Sequence, residues 1–148
     1  MNKMITIKKV SLWAPLSWAL ATLLSGCAGM GAGTGTQVSL YGAQEVPPVS
    51  TSAYGSGTIM IGDDGSISGS ITTTGVAPHA AHIHMGNAGK NGPVIVPLKK
   101  TSDNVWSVPP GAKLTTAQYE RYKAYGLYVN VHSPAHKGGE IRGQLGPQ

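Results

Sequence analysis

From Thr36 onward, apolar side chains return at every second position. Val38 and Leu40 alternate with Ser39 and Tyr41, Ile59 and Ile61 with Thr58 and Met60, and Ile67 and Ile71 with Ser66, Ser68, Ser70 and Thr72. Successive residues of a β-strand point to opposite faces, so a period of two marks short strands with one face buried. It leaves little room for amphipathic helices, whose apolar positions recur every three or four residues. Between the second and third runs, Asp63-Asp64-Gly65 supplies the Asp-Gly pair that accepts the positive φ of a tight hairpin. Further strands are predicted at Ala80 to Met85, Pro93 to Leu98, Asn104 to Val108, Leu127 to His132 and Glu140 to Leu145. With 21 Gly and 10 Pro punctuating the gaps, the chain predicts an all-β fold, an antiparallel β-sandwich.

One segment departs from the pattern. Around residues 115–125 the chain predicts one short α-helix, with Thr115 as N-cap, Gln118 completing a capping box and Leu114 stapled against Tyr119. The helix is expected to stop near Gly126, after about three turns. Tyr119 and Tyr122, three residues apart, are its expected buried stripe, laid over an edge or an end of the sheet.

The first residues read as an address. Lys3, Lys8 and Lys9 precede an apolar run from Val10 to Leu24 that Pro15 interrupts and that is short for a membrane span, the pattern of a signal peptide over residues 1–26. Its end, Leu24-Ser25-Gly26-Cys27, resembles the bacterial lipoprotein box. That resemblance implies lipidation of Cys27 by acyl chains such as palmitate, and membrane anchorage through them. The alternative is an ordinary signal peptide with a chance cysteine. Cys27 is the only cysteine, so an internal disulfide is excluded. Ala28 is not the aspartate of an inner-membrane retention signal, which points to the outer membrane in a Gram-negative cell. Residues 27–35, rich in Gly and Ala, read as the lipidated cysteine and a flexible tether, and residues 36–148 as one domain. Losing Lys3, Lys8 and Lys9 with the leader lowers the formal charge from +5 to +2. The basic balance therefore belongs mostly to the leader, and nothing in it points to nucleic acid.

Strand parity brings the chemistry-bearing residues together. If Ala81, Ile83 and Met85 face the core, His82 and His84 point the other way. By the same parity Leu127, Val129 and Val131 face the core and leave Tyr128, Asn130 and His132 opposite, while Ile141 and Leu145 oppose Glu140, Arg142 and Gln144. Three neighbouring strands of this kind make one polar patch on an outward face. Its imidazoles suit Cu(II) or Zn(II), with His82, His84 and His132 as ligands and His136, His79, Glu140 or water completing the sphere. The competing reading is hydrogen-bonded structural histidines beside a Glu140–Arg142 ion pair. Adjacent His132 and Ser133 point apart on a strand and make no nucleophile and base, and no phosphate-binding GxxxxGK[ST] occurs.

Four segments carry a family resemblance: Leu40-Tyr41-Gly42-Ala43-Gln44-Glu45-Val46-Pro47-Pro48-Val49; Ala81-His82-Ile83-His84-Met85-Gly86 with Gly92-Pro93-Val94; Leu127-Tyr128-Val129-Asn130-Val131-His132-Ser133; and Gly139-Glu140-Ile141-Arg142-Gly143-Gln144-Leu145. Together they resemble the CHRD domain, the module named from chordin. The resemblance covers nearly all of residues 37–145 and implies an all-β extracellular module without assigned catalytic residues. Its characteristic positions fall on Glu45, Pro47, Pro48, His82, His84, Gly86, Asn130, His132, Glu140, Arg142 and Gly143. Ser133 stands where threonine is more usual and keeps the hydroxyl. A more distant likeness is to the copper-binding strand of Cu,Zn superoxide dismutase, on which analogy Arg142 would guide superoxide to a metal on the three histidines. The expected sandwich is accordingly Ig-like or a Greek key of the dismutase kind. The functional expectation is a lipid-anchored cell-envelope module that binds an envelope partner, with no catalytic residues. The alternative is a copper or zinc binding protein using His82, His84 and His132, with dismutase activity as its extreme.

Overall fold

The computed structural model describes residues 34–148. Cys27, the leader and nearly all of the expected tether lie outside the described residues. The chain forms β1 (Thr34–Tyr41), β2 (Tyr54–Ile61), β3 (Ile67–Thr74), β4 (Ala80–Met85), β5 (Val94–Pro97), β6 (Lys99–Ser102), β7 (Val105–Ser107), α1 (Thr116–Lys123), β8 (Leu127–His132) and β9 (Ile141–Leu145). The first strand thus starts two residues before the expected domain boundary at Thr36. Asp64-Gly65 turns β2 into β3 as expected, with Gly65 at φ 81° and the turn closed by the Gly62 amide donating to the Ser66 carbonyl at 2.8 Å.

All nine strands belong to one antiparallel sheet in the order β5-β4-β8-β9-β1-β2-β3-β7-β6. The two ends of that order are joined by one residue, Leu98, which lies between Pro97 of β5 and Lys99 of β6. An extended residue covers about 3.3 Å, so the outermost strands must adjoin and the sheet is rolled over on itself. Leu98 marks the crossing: its amide still donates to Ala81 of β4 at 2.9 Å, and from Lys99 the chain pairs with β7 instead. β6 was not expected, because Lys99-Lys100-Thr101-Ser102 has no apolar alternation; all four residues are exposed on an outer strand. The charged side chains suit that position, since they discourage pairing with another chain.

Inside the roll sits one apolar core, to which nearly every strand contributes: Val38, Leu40, Ile59, Ile71, Ile83, Val96, Trp106, Val129, Val131, Ile141 and Leu145 among others. The residues predicted to face inward do so. α1 starts as the sequence predicts, with the Thr115 hydroxyl accepting from the Gln118 amide and the Gln118 side chain accepting from the Thr115 amide. It runs eight residues rather than three turns, because Tyr125 takes a positive φ of 55° and its amide bonds back to Tyr122. Tyr122 is buried and its hydroxyl lies 2.8 Å from the Thr36 hydroxyl, while the Tyr119 hydroxyl donates to Asp63 in the β2–β3 turn. The helix therefore closes one end of the sandwich.

Candidate metal centre

β4, β8 and β9 are consecutive in the sheet, so the three strands that carry the histidines and the Glu-Arg pair do neighbour one another. In their register His82 faces Asn130, His84 faces Tyr128 and Asn130 faces Arg142, with His132 opposite Ala80. Parity then puts all these polar side chains on the side away from the apolar core. The expectation of an outward face is corrected in one respect. His84, Tyr128, Asn130, His132, Glu140 and Arg142 are buried, and only His82 is half-exposed. Loop segments cover the patch, so it forms a second, polar interior.

His82, His84 and His132 each offer a ring nitrogen within 4.8 Å of the other two. His84 Nδ1 donates to the Gly92 carbonyl at 2.9 Å and His132 Nδ1 donates to the Lys137 carbonyl at 3.0 Å, since a carbonyl only accepts. Each bond fixes the tautomer, with the proton on Nδ1 and Nε2 unprotonated, the arrangement that prepares an imidazole for a metal. His84 Nε2 is buried with no hydrogen-bond partner, and His132 Nε2 lies 3.1 Å from His82 Nδ1. Burial pushes all three rings below the usual histidine pKa. At His82 the neighbouring imidazoles add to that effect, while the backbone bonds at His84 and His132 partly oppose it. The lowered pKa values favour the uncharged rings, and the lone pair of His84 Nε2 has no protein partner.

The ring centroids are 4.9 Å apart for His82 and His132, 5.6 Å for His82 and His84, and 5.9 Å for His84 and His132. A circle through these three points has a radius of about 3.2 Å, the distance from an imidazole centroid to an ion that its nitrogen holds at about 2.0–2.1 Å. The spacing of the rings would therefore admit a first-row transition ion held by His82, His84 and His132. His136, expected as a further ligand, is not in the cluster; its backbone exchanges hydrogen bonds with Ser133 and closes the turn before β9. Met85 packs partly buried against the apolar core, as its parity predicts.

Arg142 is 1% exposed. Its guanidinium donates to the Asn87 carbonyl at 3.0 Å, the Lys90 carbonyl at 2.8 Å and Asn91 Oδ1 at 3.3 Å, and it lies 3.4 Å above the centre of the Tyr128 ring. The Tyr128 ring also stacks with that of His84, with centroids 4.8 Å apart and planes at 11°. A guanidinium fastened in this way is not free to steer an incoming anion, which removes the role that the dismutase analogy gave it. Nor is there a Glu140–Arg142 ion pair, because Glu140 instead accepts from the Thr51 hydroxyl at 2.8 Å. Arg142 holds the 86–92 loop, and Gly92 in that loop holds His84. A Cβ at Gly92 would collide with the Met85 carbonyl, so only glycine permits the approach.

Sequence reasoning attached no chemistry to Glu45, although it is a signature position. Its carboxyl is 4% exposed, with Oε1 buried and unpartnered. Burial raises its pKa from 4.5 to about 7 against the opposing pull of Arg142 and the Val46 amide. Asn130 Oδ1 is likewise buried and unpartnered, and both oxygens crowd the Cα of Gly139, where φ is 134° and a side chain has no room. The only signal for this pocket was a lone acidic residue between short strands; its burial depends on the 42–53 segment folding back over β8 and β9.

A family model described as the CHRD domain matches residues 36–145. No curated protein and no solved structure matches the chain significantly.

Proposed function

The chain belongs to the CHRD domain family, and on that premise we propose that its β-sandwich is a transition-metal-binding module of the cell envelope. Copper or zinc is held by His82, His84 and His132 and the membrane by lipid on Cys27. The single observation that carries this reading is the clustering of three imidazoles whose ring nitrogens lie within 4.8 Å of one another, two of them held through Nδ1 by backbone carbonyls. His132 uses both ring nitrogens on protein partners, but the buried His84 Nε2 has none, which a purely structural histidine would not leave unmet. Lowered pKa values favour the same reading, because a metal need not displace protons from these rings near neutral pH.

The test is metal analysis of tag-free protein equilibrated with Cu(II) or Zn(II) and dialysed. The wild type is expected to retain about one equivalent and the His82→Ala/His84→Ala protein none. Retention by neither sinks the reading. The anchor is supported by Leu24-Ser25-Gly26-Cys27. Cys27→Ser is expected to move the protein from the membrane to the soluble fraction; unchanged fractionation with no acyl mass on the wild type refutes it.

A second reading, a module that docks an envelope partner, has its own observation. Tyr41 and Tyr54 are register partners across β1 and β2 and are 49% and 47% exposed, two large aromatic side chains open to solvent on one face. Partner capture from envelope extracts that survives Tyr41→Ser/Tyr54→Ser would count against that surface.

A further inference from the structure

Three imidazoles around a common centre leave a coordination question that the fourth histidine of this region answers. A near-planar set of three nitrogens suits Cu(I), whereas Cu(II) favours tetragonal surroundings and a fourth strong donor. His79 stands just before β4, and its amide donates to the carbonyl of His132 at 3.0 Å, so its backbone is fixed beside an inner ligand. Its side chain is exposed, and its ring centroid lies 6.4 Å from that of His132 with the planes at 57°. Among the described residues the His79 ring makes no hydrogen bond, in contrast to the rings of His82, His84 and His132. Two imidazoles at adjacent positions on one ion have centroids about 4.5–5 Å apart, so the His79 ring must close on His132 by about 1–2 Å and turn toward the other two rings, a movement open to an exposed side chain.

Resting on the metal-binding reading above, we propose that His79 is a fourth, outer ligand that joins the site for Cu(II) and stays off it for Cu(I). The inner three are fixed by the sheet and by Gly92 and Lys137, and the outer one is free to come and go.

The experiment compares tag-free wild type with His79→Ala, loaded separately with Cu(II) and with Cu(I) and titrated against competing chelators. The exposed position makes the substitution harmless to the fold. Cu(II) affinity is expected to fall at least about tenfold, and Cu(I) affinity to stay within about threefold. The Cu(II) paramagnetic resonance spectrum should change from four-nitrogen to three-nitrogen coupling, and added imidazole should restore it. Equal Cu(II) affinity and identical spectra for the two proteins overturn the fourth ligand while leaving the three-histidine site standing. A wild type that holds neither copper ion overturns both.

Discussion

Glu45→Gln gives a direct reading of the polar interior. The folded protein holds the Glu45 proton up to about pH 7, whereas an unfolded chain releases it near 4.5. A group whose folded pKa is raised contributes stability that is fully present below about 4.5 and lost as the pH climbs through about 7. At about 1.4 kcal/mol for each pH unit between the two values, the loss has a ceiling of about 3 kcal/mol. Glutamine imitates the protonated form in shape and charge, and its amide can donate into the pocket that holds the unpartnered Asn130 Oδ1. The assay is urea denaturation of both proteins near pH 5 and near pH 8. Near pH 5 the two should be similar in stability; near pH 8 the variant should exceed the wild type by about 2–3 kcal/mol. The histidines titrate across the same range, but they are common to both proteins and cancel in the difference. A difference that does not change with pH refutes the reasoning, because it would mean that Glu45 is ionised in the folded protein throughout.

Three further outcomes follow from the same geometry. Arg142→Met leaves two loop carbonyls and Asn91 Oδ1 without their donor and should cost about 3–5 kcal/mol by chemical denaturation, with Arg142→Lys intermediate because an ammonium cannot reproduce the fork. Gly92→Ala pushes against the Met85 carbonyl and shifts the acceptor of His84, so calorimetric metal affinity should drop by about tenfold or more even where the protein still folds. Metal affinity should be level above about pH 6.5 and fall below it by up to about tenfold per pH unit for each imidazole that gains a proton. The depressed histidine pKa values also mean that apo-protein stability is present above that pH and lost as the pH falls through the folded values, measurable by thermal melts without metal.

The strands that were legible are those whose buried and open faces differ in polarity. Ile59, Ile61, Ile67 and Ile71 announce β2 and β3 because each contrasts with a Ser or Thr on the other face. Lys99 to Ser102 contrasts with nothing, since the whole strand is exposed and only pairing with β7 makes it a strand. The capping box of α1 was legible because it is closed within four residues. The early end of the helix was not, because it depends on the chain turning at Tyr125 to reach β8.

The sequence by itself determined the fold class, the inward set of apolar residues and the parity that turns His82, His84 and His132 away from the core. Parity is a local property, and three strands of matching parity need only be neighbours to share a face. Tertiary structure alone decided that this face is an interior. The 42–53 and 86–93 segments close over it, linked by the Asn91 side chain donating to the Val46 carbonyl at 2.9 Å, and Arg142 is enclosed with its loop acceptors. The physical reason is that burial depends on what long-range segments bring over a residue, which no spacing encodes. The same kind of enclosure raises the pKa of Glu45 and lowers those of the histidines, because burial penalises the charged form of each.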